Sequence, residues 1–331
     1  MQMADKIRVG IIGVGGISYR HIGGFNASPD SEIVALVDVD ENRIATAREK
    51  VPELADVPAY SDYKDLIASD GLDAVQINTP HTLHYQQIMD SLDAGLHVLT
   101  EKPMVCSTAH ARDVVKKSED IGKVVMIAYQ RHFQPQYRYV KQMVDDGAIG
   151  DITFISALQC QGWKKGVAGT WRQVPELSGG GQLNDSGSHL LDILLWTSGL
   201  TAKSVHAYID NCGTPVDINS AISMEFTNGA KGTISVVGDA PRGMHEDFTI
   251  WGTEGVILYR NGTLNYWNMD GEMTEPEDLP EGGDIDQGFC DAILGRDQNW
   301  VPAELGMRVI QLTEAAWKSA ETCDACQVAA L

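Results

Sequence analysis

The stretch that decides the fold is "IRVGIIGVGGIS", residues 7–18. An apolar, strand-like run leads into a cluster of glycines, and a helix-like pattern follows. Gly13 and Gly15 permit a tight turn and a close approach of the backbone to a pyrophosphate, while the start of the helix offers N–H groups and a positive dipole. Ser18 is small enough for close packing of helix and strand. The pattern predicts the first strand–turn–helix of a dinucleotide-binding domain.

A carboxylate at the end of the second apolar run supports the same prediction. Asp38 follows the run Glu32–Val37 and lies 25 residues after Gly13, near the spacing of about 20 that is typical of a ribose-binding carboxylate. Because a carboxylate accepts hydrogen bonds from ribose hydroxyls and repels a 2′-phosphate, we expect NAD rather than NADP. Arg43 lies close enough in the sequence to keep NADP open. A glycine-rich turn in a nucleotide-free domain is the alternative.

The character of the chain changes near residue 129. Residues 1–128 alternate apolar strands with helix-like segments, which is typical of an α/β Rossmann domain with a doubly wound parallel sheet. Residues 129–331 contain longer strands with alternating apolar and polar positions, and a few helices. This second pattern predicts an α+β domain with a large, mostly antiparallel sheet that binds substrate and forms the oligomer interface. The last helix could pack back on the first domain.

Composition narrows the class of protein. The chain has 331 residues and a net charge of −21, which disfavours nucleic acid and anionic membranes as partners. No apolar run approaches the roughly 20 residues that span a bilayer, and the beginning of the sequence lacks a signal-peptide pattern, so we expect a cytoplasmic protein. Cys323 and Cys326 have metal or redox spacing, but one such pair without further ligands is a weak signal, and we expect no metal.

Two further segments carry candidate chemistry. Lys102, in "LTEKPM", follows the strand His97–Thr100, and ligands of open α/β sheets bind beyond the carboxyl ends of strands. Asp185 and His189, in "GGGQLNDSGSHLLD", are four residues apart and share one face where a loop passes into a helix. A histidine can take the hydroxyl proton when an alcohol is oxidised, a lysine can stabilise the developing alkoxide, and a carboxylate can hold a neighbouring hydroxyl. Helix capping by Asp185 and simple packing of His189 are the alternatives.

These motifs together resemble the glucose–fructose oxidoreductase / inositol dehydrogenase / rhizopine-catabolism (Gfo/Idh/MocA) family over nearly the whole chain. The resemblance rests on the glycine turn, "TPHTLH", "EKP", "AYQRHFQPQYR", "GGGQLNDSGSHLLD", "WGTEGVI" and the closing "EAAWKSAETCDACQV". It implies that Lys102 contacts the reacting oxygen, Asp185 lies beside the substrate, and His189 is the general base or acid. It also implies an open-faced second sheet that forms a homodimer or homotetramer. The junction departs from the common Asn-Arg-Arg pattern, since it reads Gln130-Arg131-His132.

The expected contacts follow from these assignments. We expect the cofactor to contact Gly13, Gly15, Gly16, Ile17, Asp38, Thr79, Pro80, His84, Glu101 and Lys102. We expect the substrate to contact Lys102, Arg131, Trp163, Trp171, Arg172, Asp185 and His189. Trp163, Trp171 and Arg172 lie in the polar loop Gln159–Gln173. The alternative is that this segment is a solvated loop anchored by its aromatic side chains. His21, on the first helix, is expected to pack, and Asp192 ranks below Asp185 and His189.

The sequence therefore predicts an NAD(P)-dependent oxidoreductase that acts on a secondary hydroxyl or ketone of a sugar, a sugar derivative or a cyclitol. A glycoside-processing enzyme that works by transient oxidation at C3 is one alternative, since it would use the same groups. A non-catalytic regulator with the nucleotide fold is the other, although such a protein is expected to lose the lysine or the histidine.

Overall fold

A computed structural model of the chain describes residues 6–241 and 243–328. The described chain divides into two compact units. The first consists of residues 6–105, Ala109–Gln130 and Gly283–Gly306, and the second of Cys106–Thr108, the described part of Arg131–Gly282, and residues 307–328. A late segment of the sequence thus belongs to the first unit, while the boundary at residues 128 and 129 stays a prediction.

Helices and strands alternate in the first half of the described chain, and strands dominate the second. The helices are α1 (Ser18–Ala27), α2 (Glu41–Lys50), α3 (Tyr63–Ile67), α4 (His81–Asp93), α5 (Thr108–Ile121), α6 (Pro135–Asp145), α7 (Trp163–Gly166), α8 (Pro175–Ser178), α9 (Gly187–Ser198), α10 (Ile285–Ile293) and α11 (Ala303–Thr322). The strands are β1 (Ile7–Ile12), β2 (Ser31–Val37), β3 (Ala59–Tyr60), β4 (Ala74–Ile77), β5 (His97–Thr100), β6 (Val125–Ile127), β7 (Ile152–Cys160), β8 (Ala202–Asp210), β9 (Asn219–Phe226), β10 (Lys231–Val237), β11 (His245–Gly252), β12 (Gly255–Arg260), β13 (Thr263–Asn268), β14 (Met273–Thr274) and β15 (Cys326–Gln327). None of these described helices is long and apolar enough to cross a membrane.

The first unit contains a six-stranded parallel sheet in the order β3-β2-β1-β4-β5-β6. The central strand β4 and the edge strand β6 are buried along their length, which explains why they read as continuous apolar runs rather than as alternating ones. The order of the strands reverses between β1 and β4, and ligands of such sheets bind beyond the carboxyl ends of the strands at this point. The predicted doubly wound sheet is confirmed.

The segment Gly283–Gly306 is held to the first unit by several contacts. Phe289 of α10 packs edge-on against Phe25 of α1, with ring centroids 6.5 Å apart. Both terminal nitrogens of Arg296 contact the carboxylate of Asp30, at 2.6 and 2.8 Å. The backbone of Ile127 donates to the carbonyl of Val301 at 3.0 Å. Residues from the end of the chain therefore complete a unit that the first 130 residues begin.

The second unit contains a nine-stranded sheet in the order β14-β13-β12-β11-β7-β10-β9-β8-β15. Only the described pair β7 and β10 is parallel, so the predicted, mostly antiparallel sheet is confirmed. Apolar side chains of α9 and α11 pack on one face, among residues of β7, β9 and β10. The strands alternate buried and more exposed positions. Phe154, Tyr208 and Trp251 are among the large side chains of this sheet that remain exposed.

Candidate functional site

The turn from β1 to α1 requires glycine at its first position. Gly13 has φ +89°, and a Cβ there would lie 3.0 Å from the backbone of Asn78. Its N–H donates to the carbonyl of Val37 at 2.8 Å, and its carbonyl accepts from the side chain of Asn78 at 3.2 Å. These contacts fix the turn against the ends of β2 and β4.

The start of α1 offers a cradle for an anionic group. In the described chain, Ile17 at the N-cap provides no side-chain hydrogen bond to the helix, so backbone donors of the first turn are not capped by it. A Cβ at Gly16 would have no described atom within 4 Å, and one at Gly15 would meet only the guanidinium of Arg43, at 3.4 Å. Open space, backbone donors and the positive end of a helix dipole are what a pyrophosphate needs.

Asp38 stands directly after β2, as predicted, and is 7% exposed. One carboxylate oxygen accepts from the N–H of Val14 at 2.8 Å, and the other from the N–H of Asp40 at 2.9 Å. A guanidinium nitrogen of Arg43 lies 3.9 Å from the first of these oxygens. The backbone donors keep the carboxylate in one orientation, and each oxygen retains a further lone pair for a ribose hydroxyl. Together with the open turn, this donor and acceptor set fits a dinucleotide.

A buried imidazole lies between the loops that follow β4 and β5. The ring nitrogens of His84 lie 2.9 Å from the carbonyl oxygens of Thr79 and of Pro103. Burial lowers the pKa of His84 below its ordinary value. The hydroxyl of Thr79 donates to the side chain of Gln87 at 2.5 Å, and Pro80 precedes α4. Because a neutral imidazole has one N–H, only one of these two carbonyls accepts from it. The cofactor contacts expected for these residues stay predictions.

Glu101 and Lys102 form the turn that follows β5. One oxygen of the Glu101 carboxylate accepts from the backbone N–H of Lys102 at 3.1 Å. Its other oxygen lies 3.3 Å from Nε2 of His21 on α1. Burial favours the neutral acid, but the hydrogen bond and charge of His21 outweigh it and hold the pKa of Glu101 below its usual value. The turn that carries Lys102 therefore rests on an ionised carboxylate.

In the second unit, the glycines before α9 are held by a buried carboxylate. One oxygen of Asp217 accepts from the N–H of Gly181 at 2.8 Å and from the indole of Trp317 at 3.1 Å. The other accepts from the N–H of Leu183 at 2.7 Å. A Cβ at Gly181 would lie 2.0 Å from the carbonyl oxygen of Asp217, and one at Gly180 would lie 2.5 Å from the ring of Trp317. Only glycine permits this close approach.

Asp185 stands at the end of this loop and is 4% exposed. One of its carboxylate oxygens accepts from the indole N–H of Trp163 at 2.8 Å and from Nε of Arg172 at 3.0 Å. The guanidinium of Arg172 lies over the ring of Trp171, 4.4 Å from its centroid. The structure therefore gathers three predicted pocket residues around one predicted catalytic carboxylate. His189 is half-buried in the first turn of α9.

Arg131 lies in a buried polar network on the sheet of the second unit. Its guanidinium contacts the carboxylate of Glu246 at 2.7 Å, and both side chains are nearly inaccessible. Tyr137 donates to the same carboxylate at 2.8 Å, and Gln159 donates to it at 3.1 Å. These contacts stabilise a charge pair that would otherwise be costly to bury. The substrate contact expected of Arg131 stays a prediction.

Asp192 contacts a histidine that sequence reasoning left unassigned. Its carboxylate lies 2.8 Å from Nε2 of His132, and both residues are buried. The imidazole also packs on the ring of Trp196, with centroids 4.1 Å apart. The sequence gives no local sign of the pairs His132–Asp192 and Arg131–Glu246, because the members of each pair are 60 or more residues apart.

The predicted site residues fall in both units. The first unit contains Gly13, Gly15, Gly16, Ile17, Asp38, Thr79, Pro80, His84, Glu101 and Lys102. The second contains Arg131, Trp163, Trp171, Arg172, Asp185 and His189. Within the first unit, the cofactor set lies at the ends of β1, β2, β4 and β5. Within the second, Trp163, Arg172 and Asp185 are in direct contact.

Comparison with known proteins identifies both parts of the chain. Residues 7–129 match the model of the "oxidoreductase family, NAD-binding Rossmann fold", and residues 137–258 match that of the "GFO/IDH/MocA C-terminal domain". A D-glucoside 3-dehydrogenase of Escherichia coli (strain K12) is 29% identical over 62% of this chain and 58% of its own length. An inositol 2-dehydrogenase of Corynebacterium glutamicum (strain R) is 27% identical over 61% and 57%. The match thus spans less than two thirds of these curated relatives.

A solved structure extends the likeness of the fold over almost the entire chain. A levoglucosan dehydrogenase, in complex with NADH and L-sorbose, superposes with a TM-score of 0.89 and 21% identity. The alignment covers 98% of this chain and 99% of that one. At this identity, the likeness establishes the fold of the chain and leaves its substrate open.

Proposed function

The chain belongs to the Gfo/Idh/MocA family of oxidoreductases, and on that premise we propose that it is a dehydrogenase acting with NAD, or less favourably NADP. Its substrate is a secondary hydroxyl or the matching ketone of a sugar, a sugar derivative or a cyclitol. The observation that carries the proposal is the glycine turn at the start of α1, with Asp38 held by backbone donors beside it. The NAD preference rests on the repulsion between this carboxylate and a 2′-phosphate.

Lys102 and Glu101 supply the polar groups of the cofactor end. Bound NAD⁺ supplies the hydride acceptor for alcohol oxidation. The ammonium of Lys102 stabilises negative charge that develops on the reacting oxygen, and in the reverse direction it polarises the carbonyl. Glu101 accepts the N–H of Lys102 and so fixes the backbone from which that side chain extends.

His189 and Asp185 supply proton transfer and orientation. An imidazole whose ordinary pKa is near 6.5 takes up a hydroxyl proton during oxidation and returns it during reduction. The carboxylate of Asp185 is already held by Trp163 and Arg172. It is therefore fixed in one orientation, from which it can position a substrate hydroxyl without having to reorganise.

The named relatives support the class of substrate. Their names record oxidation of a D-glucoside and of inositol, which are both compounds with several secondary hydroxyls. The indole of Trp171 and the guanidinium of Arg172 beside Asp185 match such a compound chemically, because aromatic faces suit C–H surfaces and charged groups suit hydroxyls. The names of the relatives and the side chains beside Asp185 together support a sugar or a sugar-like polyol as the substrate.

The direct test incubates purified protein with NAD⁺ or NADP⁺ and a panel of inositols, aldoses, glycosides and uronates, and follows the absorbance of the reduced cofactor. The proposal expects at least one polyol or sugar to be oxidised, with NAD⁺ preferred. Turnover of none of them, in either direction, would overturn it.

A second candidate is glycoside processing through transient oxidation at C3. It is favoured by the relative whose name places oxidation at position 3 of a D-glucoside. This activity would release the aglycone from a glycoside without net formation of NADH. Measuring aglycone and NADH in the same reaction separates the two candidates. A purely regulatory role is not favoured, since Lys102 and His189 are both present.

We also propose that the exposed face of the large sheet joins copies of this chain in a homodimer or homotetramer. Phe154, Tyr208 and Trp251 remain exposed there, the rings of Phe154 and Trp251 are in edge-on contact with centroids 5.7 Å apart, and aromatic side chains are enriched in interfaces. Sedimentation of the protein should give a dimer or tetramer, and Trp251→Glu should shift it towards the monomer. A monomeric wild type would contradict this assignment.

A further inference from the structure

His21 occupies an unusual position between two carboxylates. It lies on α1 and is 1% exposed. Its Nδ1 is 2.6 Å from Oδ1 of Asp286 and its Nε2 is 3.3 Å from Oε1 of Glu101. Burial raises the pKa of Asp286 above its usual value. While both carboxylates are ionised they only accept hydrogen bonds, and because a neutral imidazole has a single N–H, two such partners require an imidazolium.

The backbone of α1 is shaped to admit the second carboxylate. A Cβ at Gly24 would lie 2.2 Å from Oδ2 of Asp286, so only glycine lets α10 approach this closely. Asp284 accepts from the N–H of Asp286 at 2.9 Å and thereby caps α10. Phe289 and Phe25 add apolar contact between the same two helices. The approach of Asp286 to His21 is thus built into two helices rather than left to a flexible side chain.

Glu101 transmits this arrangement to the turn after β5. One carboxylate oxygen faces His21, and the other accepts from the backbone N–H of Lys102. A charged donor on one oxygen fixes the plane of the carboxylate, and this in turn fixes the oxygen that holds the turn. Without His21, Glu101 would be a buried carboxylate with a missing donor, and it would turn towards another one.

We propose that His21 is a positioning residue of the cofactor site, which acts through Glu101 on the turn that carries Lys102. The inference rests on the proposed function, because Glu101 and Lys102 are assigned there to the nicotinamide end. It adds a role for α1 beyond its N-terminus, while Asp286 of α10 packs on His21 from the other side and stays outside the cofactor site.

The charged groups around His21 favour the imidazolium. Glu101 faces it from the end of β5 and Asp286 from α10, while Lys102 acts on Glu101 and Asp284 acts on Asp286. Arg20 of α1 and His84 of α4 complete the titratable surroundings of these carboxylates. Burial opposes the charge, but the hydrogen bonds to Asp286 and Glu101 outweigh it and raise the pKa of His21 to about 9. The ring therefore stays charged throughout the neutral range.

The test is a double-mutant cycle in which the affinity of each variant for NADH is measured from the fluorescence of NADH. His21→Gln and Glu101→Gln should each weaken NADH about tenfold. The double variant should bind no more weakly than Glu101→Gln alone, because His21 acts through Glu101. Effects that multiply to about a hundredfold would overturn the proposal.

Asp286→Asn is the matched control for simple packing. It leaves an Nε2–H that can still donate to Glu101, so the midpoint of thermal unfolding should fall while NADH affinity stays within about twofold. If Asp286→Asn weakens NADH as much as His21→Gln does, His21 acts by packing α10, and the proposal is wrong.

A titration without cofactor gives an independent readout. In protein with ¹³C-labelled histidine, the resonance that His21→Gln removes should titrate near the value of about 9, and Glu101→Gln should move it downwards. A resonance that titrates near 6.5, the ordinary histidine value, would overturn the imidazolium. If the effects of His21→Gln and Glu101→Gln on NADH affinity are coupled but no sugar is turned over, this inference stands and the proposed function is rejected. If a sugar is turned over but the two effects on NADH affinity are independent, only the inference is rejected.

Discussion

The indole N–H of Trp163 donates to the carboxylate of Asp185 at 2.8 Å, and the tryptophan ring is itself buried among Val216 and Ile218. A residue that the sequence offered as a wall of a sugar pocket therefore also holds a predicted catalytic carboxylate. Because the ring is anchored in an apolar cluster, its N–H donates from a fixed position.

Trp163→Phe should lower kcat/KM about tenfold, since a hydrogen bond to a charged group contributes roughly 1.5–3 kcal/mol. The phenyl ring keeps most of the packing, so the midpoint of thermal unfolding should change little. Trp300→Phe is the control, because it removes an indole hydrogen bond of the same length to Asp297 in an exposed part of the first unit. Equal kinetics for the two variants would contradict the role of Trp163.

Asp217 should matter more for the glycine loop than any residue within it. Asp217→Asn places an amide N–H opposite the backbone donors of Gly181 and Leu183, which should destabilise the protein by about 1–3 kcal/mol. Trp317→Phe removes only one of the donors to Asp217, so its cost should be about 1 kcal/mol. Urea unfolding measures both, and an Asp217→Asn variant as stable as the wild type would show that the clamp is unimportant.

The neighbouring glycines of α1 should respond in opposite ways to alanine. A Cβ at Gly23 would have no described atom within 4 Å, so Gly23→Ala should stabilise the helix by about 0.5–1 kcal/mol. Gly24→Ala should destabilise the protein, because its Cβ would meet Asp286 at 2.2 Å. Thermal unfolding of the two variants decides the matter, and a stabilising Gly24→Ala would refute the close approach of α10.

The pKa of His21 gives the protein a specific dependence of stability on pH. Its folded pKa of about 9 exceeds the ordinary histidine value of 6.5, so the charged ring stabilises the folded state fully below about pH 6.5. This contribution, at most about 3 kcal/mol, should fade as the pH rises through 9. The difference in unfolding free energy between the wild type and His21→Gln should therefore shrink from pH 6 to pH 10. A difference that stays constant over this range would contradict the charged state.

Much of the fold could be predicted because its signals are local. Continuous apolar runs marked the buried parallel strands, and alternation marked the strands of the large sheet. The glycine at position 13 and the carboxylate at 38 announced the turn that the structure shows. The two-residue strand β3 was not predicted, since Ala59–Tyr60 is too short to show any period.

The parts of the site that the sequence did not reveal depend on long-range contacts. His21 looked like a packed residue, and its partner Asp286 lies 265 positions away. Asp217 lies between Val216 and Ile218, and a carboxylate inside an apolar run is the one local sign that its charge is buried. Arg131 gave no such sign, because Glu246 is flanked by His245 and Asp247 and reads as part of a solvated surface.

The central claim is that His189 transfers the proton in an NAD-dependent oxidation of a sugar or cyclitol. The measurement that tests it most directly is the steady-state rate of NADH formation by the wild type and by His189→Ala on the best substrate of the panel. The exposed His110→Ala serves as the control for histidine loss. His189→Ala should lower kcat about 10²-fold or more without changing the affinity for NADH, and His110→Ala should keep the kcat of the wild type. A His189→Ala variant that keeps full activity would contradict it.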